Sequence, residues 1–302
     1  MDKIDYNEFT YIEGLDIRDY NLFPQTLRLN LSPTSESILF RLLLGTINIY
    51  DNSIDEIIEQ KITYSKIRDN FQVNTSNNPI QDWFTSDFGI DDLNYYFKLN
   101  NRKNKNIFDE LLSEFTWYFI NKSRENHVAA FLNLYRALEY ISYSFPMIFS
   151  SMTTNFYDTF DTFKSFFTSK DDGQLKFFNK FVSALFEDST LRCRVPIDTF
   201  VDGNLLDRKK KVIIQKLCSD FESADNGSVL SISYLNLLDF MINLRNRYFH
   251  FQADRRNNIS NISFNGDVFF AGLNDKFANW ISMIYQEILV HGIYKLNLMP
   301  LN

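Results

Sequence analysis

Glycine and proline, the residues that most often interrupt helices and strands, are scarce in this sequence. The 302 residues include 9 Gly and 6 Pro, about half the usual share of each. Large apolar rings are abundant instead, since the chain has 31 Phe and 17% of its residues are aromatic. Because helix-breaking residues are few and bulky apolar residues are many, we predict a mainly α fold of long packed helices.

The sequence pattern changes about one third of the way along the chain. The first hundred residues place short apolar runs such as FTYIE between turn-rich segments, which is typical of a small mixed α/β module. Within this module, the isoleucine spacing over 53–71 predicts a helix. A charged connector, NNRKNKN, then precedes a strongly helical remainder. We expect an N-terminal module over 1–102 and a helical domain over 103–302, with a helical insertion at about 153–228.

The helical domain begins with two helical patterns. From Ile107 the apolar residues recur at i, i+3 and i+4, and a second pattern starts at His127 and is expected to end at Pro146. A short polar break separates the two patterns, so we predict an antiparallel helix pair.

Three further elements are predicted towards the end of the chain. The run VLSISYLNLLDFMINLRNRYFHF, which starts at Val229, predicts one long helix. The alternation around Asn265-Gly266 predicts a small β-hairpin, because Asn-Gly favours tight turns. A last helix is expected over 274–290.

Charge and hydropathy limit the class of protein. The net charge of -7 and the pI near 5.1 argue against a protein that coats nucleic acid nonspecifically, so a nucleic-acid role needs a local basic patch. The first residues lack the basic and apolar regions of a secretory signal, and the longest apolar stretch, 140–152, is too short to cross a membrane. We expect a cytoplasmic protein without membrane contact.

The two cysteines, Cys193 and Cys218, have no cysteine or histidine at metal-ligand spacing. We therefore expect neither a zinc site nor a disulfide, and we interpret both as small buried apolar residues. Motifs of phosphate-binding loops, zinc proteases and serine hydrolases are missing from the sequence. No metal and no cofactor is expected.

One short motif carries chemistry. In the sequence LRNRYFH, Arg245 and His250 have four residues between them, and Asn246 directly follows the arginine. The chain has 3 His, and a random chain of this composition is expected to contain about 0.015 occurrences of the RNxxxH pattern. The motif resembles the signature of the HEPN superfamily, helical domains of which many are metal-independent ribonucleases in RNA processing, toxin–antitoxin, CRISPR and abortive-infection systems.

An upstream helix adds to this resemblance. Its sequence LYRALEYI is similar to the ALE-type helix of ApeA-like HEPN proteins, a subgroup linked to phage defence. The resemblance covers about 104–290 by architecture and six residues by motif. It implies an HEPN-like helical bundle and an endoribonuclease that attacks through the RNA 2′-hydroxyl and leaves a 2′,3′-cyclic phosphate. It also implies a role in anti-phage defence or as a toxin, with an antitoxin partner or a phage trigger.

A polar stripe precedes and includes the motif. Its members are spaced at i, i+4, i+7 and i+11 on an ideal helix, and they are Asp239, Asn243, Asn246 and His250. Histidine has the intrinsic pKa needed to take a proton from a 2′-hydroxyl, which makes His250 the base. Asp239 or Asn243 would orient the neighbouring polar groups.

The arginines of the motif would bind the phosphate. Arg245 would stabilise its charge in the transition state, with Arg247 assisting. We therefore predict Arg245, Asn246 and His250 as the catalytic residues. On a straight helix Arg245 points about 140° away from His250. The helix must therefore end or distort near Phe249, or Arg245 must curl around it.

Cleavage also requires a proton for the leaving 5′-oxygen. One histidine cannot easily act as base and as acid on opposite faces of one phosphate. HEPN ribonucleases generally assemble two motifs across a dimer. Because this chain has one motif, the resemblance implies a homodimer with a composite active site and RNA as its substrate.

Other charged residues have weaker assignments. Glu139 is expected on the packed face of its helix, where a buried carboxylate needs a partner such as Arg245, although an ordinary ion pair or partial exposure stays open. His127 and His291 are expected to be structural or surface residues. Two basic clusters would guide an RNA backbone or form a solvated surface, and they include Lys209, Lys210, Arg255 and Arg256.

Three alternatives stay open. The motif could be a solvated helix terminus that His250 caps. The protein could be a non-catalytic HEPN-like scaffold that binds a nucleotide or a partner protein. A metal-dependent nuclease is suggested by Glu59-Gln60-Lys61, but that chemistry places its ExK sequence on a strand, whereas these residues lie in a helical pattern.

Overall fold

A computed structural model of the chain describes residues 2–14, 23–65, 80, 83–84, 88–153, 155–168, 178, 181–198, 208–224, 229–249, 259 and 265–297. The predicted mainly α fold with an N-terminal α/β module is confirmed. The chain forms two compact units. The first unit comprises Met1–Tyr140 with Ala278–Asn302, and the second unit comprises Ile141–Phe277. The domain boundary expected at residue 102 lies inside a helix.

The elements of the described ranges follow in chain order. The strands are β1 Lys3–Tyr6, β2 Phe9–Glu13, β3 Ile47–Asp51, β4 Glu56–Ile58, β5 Arg194–Asp198, β6 Glu222–Ala224 and β7 Val229–Ser233. The helices are α1 Ser35–Leu43, α2 Ile90–Ser123, α3 His127–Ser142, α4 Phe145–Met152, α5 Phe156–Thr168, α6 Asp188–Arg192, α7 Arg208–Gln215, α8 Tyr234–Phe249 and α9 Gly266–Asn297. None of these helices is both long and apolar enough to cross a membrane.

The first unit contains an antiparallel sheet in the order β1-β2-β3-β4. All five residues of β2 are buried, which is expected of a strand with neighbours on both sides. Helix α1 connects β2 to β3 and begins with a capping box, in which Thr34 and Ser37 exchange side chain to backbone hydrogen bonds.

The helix predicted over 53–71 is wrong for the residues that the structure describes. Here the chain turns after β3 and forms β4, where Ile58 pairs with Ile49. Ile54 and Ile57 are each 48% exposed, so their spacing did not mark a buried helical face. The backbone N–H and C=O groups of β4 therefore form hydrogen bonds with β3 instead of within a helix.

Helices α2 and α3 form the predicted antiparallel pair. Asn121 near the end of α2 donates to Asn133 near the start of α3 (3.0 Å), and Glu114, further back on α2, pairs with Arg136 (2.9 Å). The charged connector that was expected to separate two domains is itself helical, with a local distortion at Asn104.

Pro146 begins a helix rather than ending one. Helix α3 ends at Ser142, and Pro146 lies in the first turn of α4. Proline is favoured in this place, because the first N–H groups of a helix have no partner within it.

The hairpin expected at Asn265-Gly266 is wrong. Gly266 is the first residue of α9, and the carbonyl of Asn265 accepts from the N–H of Phe269 (3.0 Å). Asn at an N-cap and Asp267 in the first turn both favour a helix start at this point. Helix α9 is also longer than the expected 274–290.

In the first unit, α9 completes the core. Asn279 donates to the carbonyl of Tyr64 (2.9 Å), and Tyr285 donates to the carbonyl of Glu36 (2.9 Å). The apolar side chains of this part of α9 include the fully buried Trp280, Ile281, Ile284 and Leu289.

A buried ion pair links the sheet of the first unit to α1. The Arg41 side chain is 1% exposed, and its Nη1 donates to Glu13 (2.8 Å) and to the carbonyl of Leu27 (2.9 Å). Its Nη2 also donates to the carbonyl of Thr46 (3.0 Å). These bonds supply the partners that a buried charge requires.

The second unit contains a smaller antiparallel sheet in the order β5-β7-β6. The long helix predicted from Val229 instead begins at Tyr234, and 229–233 form the central strand β7. Strands β6 and β7 pair antiparallel, with Ser223 opposite Leu230. The expectation of buried cysteines is also wrong, since Cys193 is exposed and Cys218 is partly exposed.

Candidate functional site

Helix α8 carries the motif, and a network of polar contacts fixes its start. The Asp220 carboxylate accepts from the N–H of Ser233 (2.7 Å), the last residue before α8. Arg194 binds the carbonyls of Asp220 (2.8 Å) and Ser231 (2.6 Å). Burial raises the pKa of Asp220. The Ser233 hydrogen bonds and the Arg194 charge lower it by a larger amount, so the pKa lies below its usual value. The carboxylate is therefore ionised when it holds α8.

One face of α8 is fully buried and apolar. Its residues recur at helical spacing and are Leu237, Leu238, Phe240, Met241 and Leu244. The described members of the predicted polar stripe lie outside this face, since Asp239 and Asn246 are partly exposed and Asn243 is exposed. These three side chains therefore lie at least partly at the surface of α8.

Asn243 has a structural contact. Its Nδ2 donates to the carbonyl of Leu217 (2.8 Å), which follows α7. This bond fixes α8 to the segment that carries Cys218. Burial raises the pKa of the Cys218 thiol, and the charges of Asp220 and Asp239 add to that shift.

The last turn of α8 brings together three polar residues of the motif. Arg245 Nη1 donates to the side-chain oxygen of Asn246 (3.1 Å), and both residues are partly exposed. Arg247 is also partly exposed, but its Nη1 atom is buried and has no hydrogen-bond partner among the described residues. Two guanidinium groups thus lie within three consecutive residues.

The end of α8 is held in place by two kinds of contact. The Tyr248 ring packs edge-on against Phe270 at 5.0 Å between centroids, and Phe249 lies 6.4 Å from the same ring. The carbonyl of Arg247 accepts from the N–H of Ile259 (3.1 Å), which is buried. The chain therefore returns to this end of α8 at Ile259 and enters α9 seven residues later.

Several predicted site residues lie outside the described residues. These are His250, Arg255 and Arg256. Lys209 and Lys210 belong to the backbone of α7, but their side chains are not described. The proposed roles of all five stay predictions, as does the expected change of backbone direction after Phe249.

Glu139 is not on the packed face of α3. It is exposed, whereas Leu134, Ala137, Leu138 and Ile141 form the buried face. The argument that Glu139 needs a buried cationic partner such as Arg245 therefore no longer applies.

The buried carboxylate of the helix pair is Glu114, which the sequence did not single out. It accepts from Asn133 (2.8 Å) and pairs with Arg136, and burial raises its pKa. Its partners are 19 and 22 positions away, so no local pattern identifies it.

The other two histidines lie in the first unit. His127 is the first residue of α3, and His291 lies in α9. Burial and the nearby charge of Lys295 lower the pKa of His291, which favours its neutral form. Neither residue belongs to the helix that carries the motif.

The Glu59-Gln60-Lys61 sequence follows strand β4, so the helical pattern that argued against a nuclease core is wrong. Its side chains still do not form such a core. Glu59 and Lys61 pair with each other at the surface (2.5 Å), and buried Gln60 binds the carbonyl of Leu42 (2.8 Å). Within the described ranges, no group of three or more His, Cys, Asp or Glu side chains could hold a metal.

No protein-family model matches the chain, and no curated protein and no solved structure is significantly similar to it.

Proposed function

We propose that this protein is a metal-independent endoribonuclease whose active site uses Arg245, Asn246 and His250. The observation that supports it is the hydrogen bond from Arg245 to Asn246 on the last turn of α8, four residues before His250 in the sequence. This bond restricts the plane of the guanidinium. A guanidinium of fixed orientation is suited to a two-point contact with phosphate oxygens.

The proposed reaction is a transfer within the RNA strand. His250 takes the proton of a 2′-hydroxyl, and the 2′-oxygen attacks the adjacent phosphorus. The bond from phosphorus to the 5′-oxygen breaks, which leaves a 2′,3′-cyclic phosphate and a 5′-hydroxyl. Arg245 stabilises the negative charge that builds up on the phosphoryl oxygens.

The biological setting is part of the same proposal. The resemblance of RNxxxH to the HEPN signature supports cleavage of cytoplasmic RNA in anti-phage defence or as a toxin. An antitoxin or a phage trigger would control the activity.

Metal-independent cutting is the first expected result. Purified protein incubated with labelled total RNA in EDTA should produce fragments that end in a 2′,3′-cyclic phosphate, as read by mass spectrometry. The matched control compares two pools of short oligonucleotides of identical sequence: the pool with 2′-hydroxyl groups should be cut, and the pool with 2′-O-methyl groups, which lacks the attacking hydroxyl, should stay intact. Cutting that stops when EDTA is added would contradict the proposal.

We further propose that the leaving 5′-oxygen receives its proton from His250 of a second copy, in a homodimer. The second unit exposes large apolar side chains that such an assembly would cover. It carries four aromatic side chains that are 60% to 89% exposed, namely Tyr143, Phe156, Tyr157 and Phe160. At about 150–250 Å² each when buried, they approach the area that one partner contributes to a standard interface.

A homodimer is therefore expected in light scattering. The double variant Phe156→Ser, Phe160→Ser should be monomeric and should cut RNA at least about tenfold more slowly, because it removes apolar contact area without changing the motif. The double variant Leu31→Ser, Ile54→Ser is the control, since it changes exposed apolar residues of the first unit. A wild-type protein that is monomeric while active would contradict the composite site.

A further inference from the structure

Arg247 has an unusual environment for a charged residue. Its Nη1 atom is buried, yet it has no hydrogen-bond partner in the part of the chain that the structure describes. Buried donors are almost always paired, and an unpaired charged donor is destabilising. A bound group that accepts a hydrogen bond from this nitrogen would remove that cost.

The side chain extends from a fixed backbone. The Arg247 carbonyl accepts from Ile259 (3.1 Å), and the next residue, Tyr248, packs on Phe270. Because these contacts already hold the last turn of α8, a ligand that binds the guanidinium does not have to order the helix. Such preorganisation favours binding.

The charged residues near Arg247 on α8 indicate the charge of its ligand. From Asn243 to Phe249, helix α8 has two arginines and no acidic residue, in a chain of net charge -7. The nearest acidic residue towards the start of the helix is Asp239, eight positions before Arg247, or about 12 Å along the axis. Within α8, the side chains of the last two turns therefore carry only positive charge, which favours an anion.

Arg245 and Arg247 cannot easily hold the same group. Residues two positions apart are rotated by about 200° around the helix axis, so their side chains diverge by about 160°. Arg245 is oriented by its hydrogen bond to Asn246, whereas Arg247 has an unmatched donor. An anion on Arg247 is therefore separate from the phosphate that Arg245 contacts.

We propose that Arg247 is the main residue of an oxyanion site that takes a phosphate group. That group is either free inorganic phosphate or a phosphodiester of the RNA backbone next to the bond that is cut. The second source rests on the proposed nuclease function, whereas the site itself rests on the geometry of Arg247.

Thermal unfolding of the full chain tests the site. At equal ionic strength, replacing chloride with inorganic phosphate at ten times its Kd should raise the wild-type Tm by about 3 °C. Arg247→Met should abolish this rise. In chloride alone, Arg247→Met should unfold at the same or a higher temperature than wild type, because it removes an unpaired buried donor.

Two further variants make the test specific. Arg192→Met changes an arginine that is 81% exposed, and it should respond to phosphate as wild type does. Arg247→Lys keeps the charge but loses the planar fork, so titration calorimetry should show phosphate binding weakened by about tenfold. A phosphate-induced rise that survives in Arg247→Met would overturn the proposal. So would a wild-type protein that does not respond, or an Arg247→Met protein that unfolds more than about 5 °C lower in chloride, which marks a structural arginine.

A 2′-O-methyl RNA oligonucleotide separates the two sources of phosphate. It cannot be cut by 2′-hydroxyl attack, so its binding is measured without cleavage. If the RNA backbone is the source, Arg247→Met should weaken its binding about tenfold and lower the slope of log Kd against log salt by about 1. An unchanged oligonucleotide affinity, together with a lost phosphate response, assigns the site to free phosphate. Phosphate binding that is lost in Arg247→Met keeps the site whether or not RNA is cut, and RNA cleavage without such binding would refute the site alone.

Discussion

Replacing His250 with alanine is expected to slow RNA cleavage about a thousandfold, while His127→Ala and His291→Ala keep the wild-type rate within about twofold. A positioned acid or base contributes about 10²- to 10⁴-fold to such reactions. In the proposed dimer, His250 of one copy is the base and His250 of the other copy is the acid, so His250→Ala removes both. His127 and His291 belong to the first unit and have no place in the proposed reaction. Initial rates in EDTA on one RNA measure all three variants.

The arginine of the motif provides a second part of this test. Arg245→Ala should lose about a hundredfold or more, as is usual when a donor to a developing oxyanion is removed. Arg245→Lys should retain part of the rate, because it keeps the charge but not the two-point contact. If all the histidine and arginine variants lost activity equally, a general effect on folding would explain the losses better than a role in catalysis.

Glu36 is the basis of the second large prediction. It lies in the first turn of α1 and is 1% exposed. Both of its carboxyl oxygens accept from Asn100 Nδ2, at 3.0 and 2.9 Å. Burial raises the pKa of Glu36 from 4.5 to about 8, against the opposing effect of the Asn100 and Tyr96 hydrogen bonds. The folded protein therefore keeps this group protonated at neutral pH.

The free energy of unfolding should fall as the pH rises from about 4.5 to about 8. Below the lower value the group is protonated in both states, and its contribution to stability is fully present. Between the two values the unfolded chain has released the proton that the folded chain still holds, which favours unfolding. At about 1.4 kcal/mol per pKa unit, the loss has an upper limit of about 5 kcal/mol.

Urea unfolding as a function of pH measures this effect. Glu36→Gln imitates the protonated acid, so it should match wild type near pH 4 and exceed its stability by several kcal/mol near pH 8.5, on the order of the linkage limit. Glu56→Gln changes an exposed glutamate and should follow the wild-type curve. Equal pH dependence in Glu36→Gln and wild type would show that Glu36 is not the source.

The helices with a continuous apolar face could be predicted from the sequence. The stripe of α3 repeats at helical spacing and its face is buried, so local pattern and tertiary packing agree. Ile54 and Ile57 fit the same spacing but are exposed, because this segment pairs with β3 as a strand instead of forming a helix. Strand β7 was assigned to a helix because the short segment VLSIS does not by itself distinguish a strand from the start of a helix, and its partner β5 lies about 35 positions earlier.

The candidate site shows the same division between local and distant information. The contact of Arg245 with Asn246 joins adjacent residues, so a motif could identify it. The bonds that place α8 join residues 26 positions apart in two cases, Arg194 with Asp220 and Asn243 with Leu217. The buried Glu36 and its partner Asn100 are 64 positions apart. No local pattern marks such pairs, because the fold alone brings them together.

The order in which the chain is made has a consequence for the first unit. Its core contains the α9 side chains Trp280, Ile281 and Ile284, which the ribosome adds after the whole of the second unit. At about 5–20 residues per second, roughly 7 to 28 s pass between the completion of Tyr140 and the synthesis of the α9 residues that enter this core. During this interval the nascent first unit exposes the apolar surface that α9 later covers. We therefore expect chaperones to bind the nascent chain at this stage.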